Sequence, residues 1–484
     1  METLFDRDQI LDVLHGFNPW WTGRGVAVPT FRRMAYATCR RFLDEPLLRR
    51  AVLLSGPRRV GKSTVVLQVA DALLTEGRDP RSVLYLSLDH PLLRLVSLPE
   101  LLKLYHERVH PEGEPVALFL DEVQYAQDWD LHVKLLVDHR PFYRILATGS
   151  ASAVQHQRLA ESGVGRWVRV PMPPLSFAEF LAMRGETPEG IPRGLHASDL
   201  FEAPEADLKR WGVKFRSVMP LFQRYLLIGG FPEAASLDNV TLGQRLVRED
   251  VVERVLKRDM AAIFRIRKVD DIERLFLYLC THTGGILGVQ TCATALRTSA
   301  TTVSNHLEAL EQGNLIYQLS PCGLGGKKVL KARRKVFLAD AALRNAVLVR
   351  GEDVLTKPDE MGLIVETTVL RHLLTFHHWD TPTIHYWRDR STGKEVDFIV
   401  RSPREVVPVE VKYRANATLA ENEGVVHYCR HENIPRAYWV TQRERDFDVV
   451  QFSSLHTRFL RIPAHIFCYL LGQGDQPDTK REET

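Results

Sequence analysis

Short apolar runs bounded by polar residues recur through the first third of the chain. They are Ala51-Val52-Leu53-Leu54, Val83 to Leu88, Val116 to Leu120, Arg144 to Ala147 and Trp167 to Val170. Runs of this length read as buried strands, whereas Val65 to Leu74 and Leu98 to Arg108 carry the longer pattern of helices. The alternation predicts an α/β domain built on a parallel sheet. Upstream, two helices are expected around Asn18-Pro19-Trp20-Trp21, with the tryptophan pair packed rather than stacked on bases. Residues 215 to 230 read as helical and stop at Gly229-Gly230-Phe231-Pro232. Farther on, a helix over 362–374 precedes the strands Phe398-Ile399-Val400 and Val407 to Lys412.

At 484 residues the chain exceeds a single core, and several domains are expected. With 45% hydrophobic and 26% charged residues it is neither disordered nor fibrous. No apolar run approaches the roughly 18 residues of a membrane span, and the first residues lack a secretory layout, so the expected location is cytoplasmic with no membrane partner. Six cysteines lie singly, without a C-x-x-C pair, and are expected as reduced core thiols. The net charge of +4 is small, so a nucleic-acid surface must appear as a local cluster.

The sharpest chemistry follows the first strand. Gly56-Pro57-Arg58-Arg59-Val60-Gly61-Lys62-Ser63-Thr64 fits G-x-x-x-x-G-K-[ST] between a strand and a helix. Its glycines let N–H groups close on phosphates, Lys62 neutralises the β- and γ-phosphates, and the Ser63 hydroxyl is a ligand for Mg²⁺. The third strand delivers Asp121-Glu122 to the carboxyl end of the sheet, where such sheets bind ligands. There Asp121 would hold Mg²⁺ through its water shell and Glu122 would activate the attacking water. Thr148, with Ser150 as second choice, is the candidate nucleotide sensor at the end of the fourth strand. Arg166, at the edge of the fifth, is a candidate arginine finger for a neighbouring subunit. Arg224 is a weaker sensor candidate, better read as a surface arginine.

Gly56 to Thr64, Phe119-Leu120-Asp121-Glu122-Val123-Gln124, Leu146 to Ser150, Gly165-Arg166 and Pro174-Leu175-Ser176-Phe177 together resemble an AAA+ ATPase. More narrowly, the chain resembles a prokaryotic AAA+ family that joins the ATPase to a winged helix and a C-terminal domain of the restriction-endonuclease-like PD-(D/E)XK type. The resemblance implies ATP and Mg²⁺ as cofactors and self-association into a ring, a hexamer, in which Arg166 completes the neighbour's site. The expected organisation is an N-terminal helical segment (1–45), an AAA+ core (46–184), a loop and helical lid (185–265), a winged helix with a basic wing (266–340), a PD-(D/E)XK-like domain (341–471) and a disordered tail (472–484).

Residues 270 to 320 carry helix-turn-helix spacing followed by a strand. On the second helix Val303, Leu307 and Leu310 share a face, and Thr302, Asn305 and His306 are expected to be more exposed. Lys327, Lys328, Lys331, Arg333, Arg334 and Lys335 then form a basic run suited to phosphate contacts by the wing. In the C-terminal region Glu366, Asp397, Glu410 and Lys412 match the positions of a PD-(D/E)XK core. In that chemistry Asp397 and Glu410 would hold Mg²⁺ and Lys412 would stabilise the developing charge.

The expected function is an ATP-hydrolysing ring that binds and remodels, or moves along, DNA, with branched or Holliday-junction DNA inferred from the pairing of motor and resolvase-like fold. The rivals are a nucleotide-controlled switch in signalling or defence, and an ATP-regulated Mg²⁺-dependent nuclease.

Overall fold

A computed structural model describes residues 6–149, 165–192, 194–262, 264, 266, 268–323, 332–378, 383–389, 391–403 and 405–473. Ser150, Lys327, Lys328 and Lys331, and the tail expected to be disordered beyond residue 473, lie outside the described residues. The chain divides into two compact units, Met1–Pro173 and Pro174–Thr484. Residues 174–184, grouped by the sequence with the ATPase core, therefore pack in the second unit, and so does the expected lid. None of the described helices is long and apolar enough to cross a membrane.

The first unit is a five-stranded parallel sheet of β1 (Ala51–Ser55), β2 (Val83–Ser87), β3 (Val116–Asp121), β4 (Tyr143–Gly149) and β5 (Trp167–Pro171), in the order β2-β3-β4-β1-β5. Nearly every residue of β1 to β4 is buried, as a sheet covered on both faces requires. Among the described residues, helices α1 (Arg7–Phe17), α2 (Met34–Asp44), α3 (Lys62–Thr75), α4 (Leu98–Arg108) and α5 (Trp129–His139) belong to this unit. Serine and glutamate at the start of α4 close a capping box, Ser97 with Glu100, which satisfies two otherwise orphan donors.

The segment after α1 closes the edge of the sheet. Asn18 is fully buried; its amide donates to Tyr85 O at 3.0 Å and its carbonyl accepts the Tyr85 N–H at 2.7 Å. Trp20 and Trp21 both donate their indole N–H to Val83 O, at 2.9 and 3.0 Å. Side chains thus take the place of a sixth strand beside β2. The tryptophans are packed, as their position beside a proline turn suggested.

In the second unit, α6 (Phe177–Arg184) begins in a capping box of Ser176 and Glu179 and ends at Gly185, whose φ of 72° is left-handed. Helices α7 (Glu205–Phe215), α8 (Met219–Ile228), α9 (Pro232–Ser236) and α10 (Val240–Leu246) follow, and two π-helical stretches, Val247–Glu253 and Val255–Asp259, continue from α10. Gly230 stands where a Cβ would lie 2.3 Å from Leu175 O, and its own carbonyl accepts the Leu175 N–H at 2.6 Å. That close approach explains Gly230, while at Gly229, with φ 68°, a Cβ would lie 2.2 Å from Asp340 Oδ1. Next come α11 (Val269–Thr281), β6 (Gly285–Ile286), α12 (Val289–Ala295), α13 (Ala300–Gln312), β7 (Ile316–Leu319) and β8 (Lys335–Leu338). These strands form an antiparallel sheet with β8 in the centre.

Helices α14 (Ala341–Val347) and α15 (Pro358–Phe376) lead into a six-stranded mixed sheet in the order β13-β14-β12-β11-β10-β9. Its strands are β9 (Thr383–Arg388), β10 (Glu395–Arg401), β11 (Val406–Lys412), β12 (Arg436–Thr441), β13 (Asp448–Gln451) and β14 (Arg458–Pro463). Helices α16 (Gly424–Glu432) and α17 (Ala464–Gly472) pack on it. The Pro174-Leu175-Ser176-Phe177 segment is anchored here. Arg371, 1% exposed, donates to Pro174 O and Leu175 O, Ser176 Oγ donates to Gly472 O, and Phe177 N donates to His372 Nε2. All six cysteines are unpaired, and all but Cys322 are buried.

Candidate functional sites

The phosphate loop leaves β1 and enters α3 at Lys62, three residues earlier than the apolar pattern alone suggests. Positive φ at Arg59 (62°) and Gly61 (93°) gives the backbone the turned conformation from which N–H groups converge on an anion. At Gly56 a Cβ would lie 2.0 Å from Met172 O, so the backbone just past β5 leaves room for nothing larger. Lys62 is buried and donates to Gly56 O at 3.1 Å and Pro57 O at 2.8 Å, the loop's own carbonyls standing in for phosphate oxygens. Arg33 pins the loop from outside, its guanidinium donating to Val60 O and Pro173 O, each at 2.8 Å. Nothing in the local pattern around Arg33 singled it out. Arg58 donates to Tyr125 Oη at 2.9 Å, and Ser63 is half-buried in the first turn of α3.

At the end of β3, Asp121 is 3% exposed and both its oxygens are engaged. Tyr85 Oη donates to one at 2.7 Å and the Thr148 hydroxyl to the other. Burial, and then the neighbouring Asp121, push the Tyr85 phenol far above its usual range, so it stays a donor. Thr148 is wholly buried, and the same oxygen accepts the Glu122 N–H at 3.0 Å. Glu122 sits at φ 55°, a strained conformation for a residue with a Cβ. The bond from Thr148 holds it there, and Gln124 donates to its carboxylate. Thr148 therefore ties β4 to the two carboxylates of β3. The Nε–H of Arg166 is shared between both carboxylate oxygens of Asp138 of α5, at 2.8 and 2.9 Å. That guanidinium holds the Asp138 carboxyl below its usual range. Arg224 is half-buried and donates to Leu237 O, not free on the surface.

These residues suit a nucleotide with Mg²⁺: a turned loop, a lysine already held within it, Ser63 on the following turn, and a buried aspartate on β3, two strands from β1. Residues 48–181 match the family model described as an AAA domain. The chain thus carries an AAA-type P-loop ATPase core. Two further matches, over residues 219–353 and 361–463, are to domains of unknown function, DUF8612 and DUF4143. An uncharacterized protein of Haemophilus influenzae is 24% identical over 385 residues, covering 78% of this chain and 85% of that one. The uncharacterized protein MJ1637 of Methanocaldococcus jannaschii is 27% identical over 379 residues, covering 74% and 75%. Among solved structures, the Thermotoga maritima RuvB Holliday junction branch migration motor aligns at 17% identity over 61% of this chain and 92% of its own, with a TM-score of 0.27. The S. cerevisiae Hsp104-ADP complex aligns at 14% over 76% and 46%, with a TM-score of 0.29. Scores this low carry no argument about this chain.

The second constellation joins α15, β10 and β11. Asp397 Oδ2 accepts the Val411 N–H at 2.9 Å, and Glu410 Oε2 accepts the Asp397 N–H at 3.3 Å. Lys412 pairs with Glu410. Glu366 completes the group named from sequence, and Glu395, missed there, joins it. The remaining member comes from β8. Lys335, expected on an exposed basic wing, is 3% exposed; its ammonium lies 3.6 Å from Glu366 and 3.8 Å from Asp397 and is also paired with Glu395. As the central-strand partner of both Ile286 and Leu319, it is fixed inward by the strand alternation. Burial, and then Asp397, push the Glu366 and Glu410 carboxyls up to about 8, while Lys335 and Lys412 respectively oppose the rise. Burial disfavours the charged form of Lys335, but attraction to Glu366, Asp397 and Glu395 outweighs it and raises its pKa.

On α13, Thr302 is half-buried and Asn305 exposed, as expected, but His306 is 7% exposed. The helical stripe Val303, His306, Leu307, Leu310 explains the difference, since positions three and four apart share a face. Burial pulls the His306 imidazole below its usual pKa. Arg333 and Arg334 are exposed and immediately precede Lys335.

Proposed function

We propose that this protein hydrolyses ATP in a ring, a hexamer in which Arg166 completes the neighbour's site, and uses the cycle to remodel or move along DNA, including branched DNA. The observation that supports it best is the buried hydrogen-bond chain Tyr85, Asp121, Thr148, Glu122 beside the phosphate loop. In this reading the loop from Gly56 to Thr64 and Lys62 bind the phosphates. Ser63 and Asp121 hold Mg²⁺, which offsets the phosphate charge when bound. Glu122 takes the proton of the attacking water, and Thr148 holds Glu122 at the angle that task needs. The elements over 269–338 act as a winged helix that meets DNA phosphates with Arg333 and Arg334, joined by Lys327, Lys328 and Lys331, and reads bases with Thr302 and Asn305. His306 and Lys335, both buried, have no part in that surface.

The test is ATP turnover with and without duplex and branched DNA. Lys62→Ala is expected to lose nucleotide binding, and Glu122→Gln to bind ATP and retain it unhydrolysed. Turnover of the wild type that DNA leaves unchanged would remove the motor. It would leave the nucleotide-controlled switch, a reading favoured by one observation: Arg166 already has a partner, Asp138, within its own chain.

A further inference from the structure

A PD-(D/E)XK reading of the C-terminal domain requires a divalent cation between carboxylates of α15, β10 and β11. The described residues do not fit it. Among them no group of three or more His, Cys, Asp or Glu side chains stands in an arrangement that would hold a metal ion. The space where Glu366, Asp397 and Glu395 converge is taken by the Lys335 ammonium, with the Tyr386 ring face 5.6 Å away.

We propose that Lys335 is a built-in counter-ion that takes the place of the divalent cation, so that the cluster does not load metal while β8 holds its register. Three observations carry this. The lysine is buried and meets three carboxylates at once, a cost in desolvation that only multiple pairing offsets. Its backbone is held on both sides, by Ile286 and Leu319, and its neighbourhood is tied to α15 and β10 through the contact between Thr283 and Thr367 at 3.2 Å and the Phe337–Phe398 ring contact. Two ammonium groups, Lys335 and Lys412, already stand against the carboxylates of Glu366, Glu395, Asp397 and Glu410. Lys335 opens the strand that Arg333 and Arg334 immediately precede, so the device links that module to the carboxylate cluster. The link stands whether or not the ATPase proposal holds, because it concerns a cation site and not turnover.

The experiment is Mn²⁺ titration of the full chain without nucleotide, followed by loss of the free-ion EPR signal, in wild type, Asp397→Asn, Lys335→Met and the double variant. Wild type and Asp397→Asn are expected to give the same curve. Lys335→Met is expected to gain about one Mn²⁺ site, bound about tenfold tighter than any in wild type, and the added Asp397→Asn to remove it. Mn²⁺ should raise the melting temperature of Lys335→Met and not that of wild type. Wild-type uptake abolished by Asp397→Asn would overturn the proposal. So would a folded Lys335→Met that takes up no Mn²⁺. Should Lys335→Met fail to fold, the first two curves decide alone.

Discussion

Thr148 has one hydroxyl and uses it twice, donating to Asp121 and accepting from the Glu122 N–H. Thr148→Val keeps the shape and leaves a buried carboxylate and a strained backbone N–H short of a partner. A loss of about 1.5–3 kcal/mol is expected in the first unit, readable as an earlier denaturation transition. Turnover should fall while nucleotide binding remains. At Glu366 and Glu410 the sign is worked from the raised pKa. Their ordinary value is 4.5 and the folded chain holds them at about 8, so between these values the folded state binds more protons than the unfolded. Stability from this pair is complete below about pH 4.5 and lost as pH climbs through about 8, at up to about 1.4 kcal/mol per pH unit for each group. Glu366→Gln, neutral throughout, should flatten the urea-unfolding free energy between about pH 5 and pH 8; an unchanged slope would show that Glu366 is ionised in the fold.

At the scale of elements, one close approach sets the geometry of the phosphate loop. Gly56→Ala would drive a Cβ to 2.0 Å from Met172 O, and since that oxygen belongs to backbone the loop must move. Nucleotide affinity is expected to drop sharply in Gly56→Ala even where the fold survives, as isothermal titration would register. What the sequence made legible follows the same division. The phosphate loop, the strands and Asp121-Glu122 were readable because their chemistry is local: a turn, a helix start, a strand end. His306 reads as exposed beside its polar neighbour Asn305, yet it shares the buried stripe of Val303, Leu307 and Leu310. Lys335 was hidden by company: five basic residues nearby made it look like one more phosphate contact. Its true partners lie on α15 and β10, and only tertiary structure brings them to it. Arg33, Asn18 and Glu395 carried no local signal, because a backbone carbonyl or a distant lysine is what each one serves.

For the whole molecule, the two proposals make separable demands. If Arg166 completes a neighbour's site, it must leave Asp138, and Asp138→Asn should favour assembly with ATP, while Arg166→Ala should lower turnover by about 10³-fold. Mass measurement of Glu122→Gln with ATP reads the assembly directly; a monomer at every concentration would count against the ring. The counter-ion at Lys335 predicts that the wild-type chain does not cut duplex, single-stranded or branched DNA with Mg²⁺. Cleavage lost in Asp397→Ala would contradict it.

The side chains that line β2 have a practical consequence. The match to an AAA domain begins at residue 48, which makes a shortened chain starting there an obvious choice for biochemistry. Such a chain would lack Asn18, Trp20 and Trp21 and present the backbone donors and acceptors of β2 bare to solvent. Bare strand edges pair with one another. Particles assembled from that fragment would grow by sheet extension, indifferent to ATP, and their size would say nothing about a nucleotide-dependent ring.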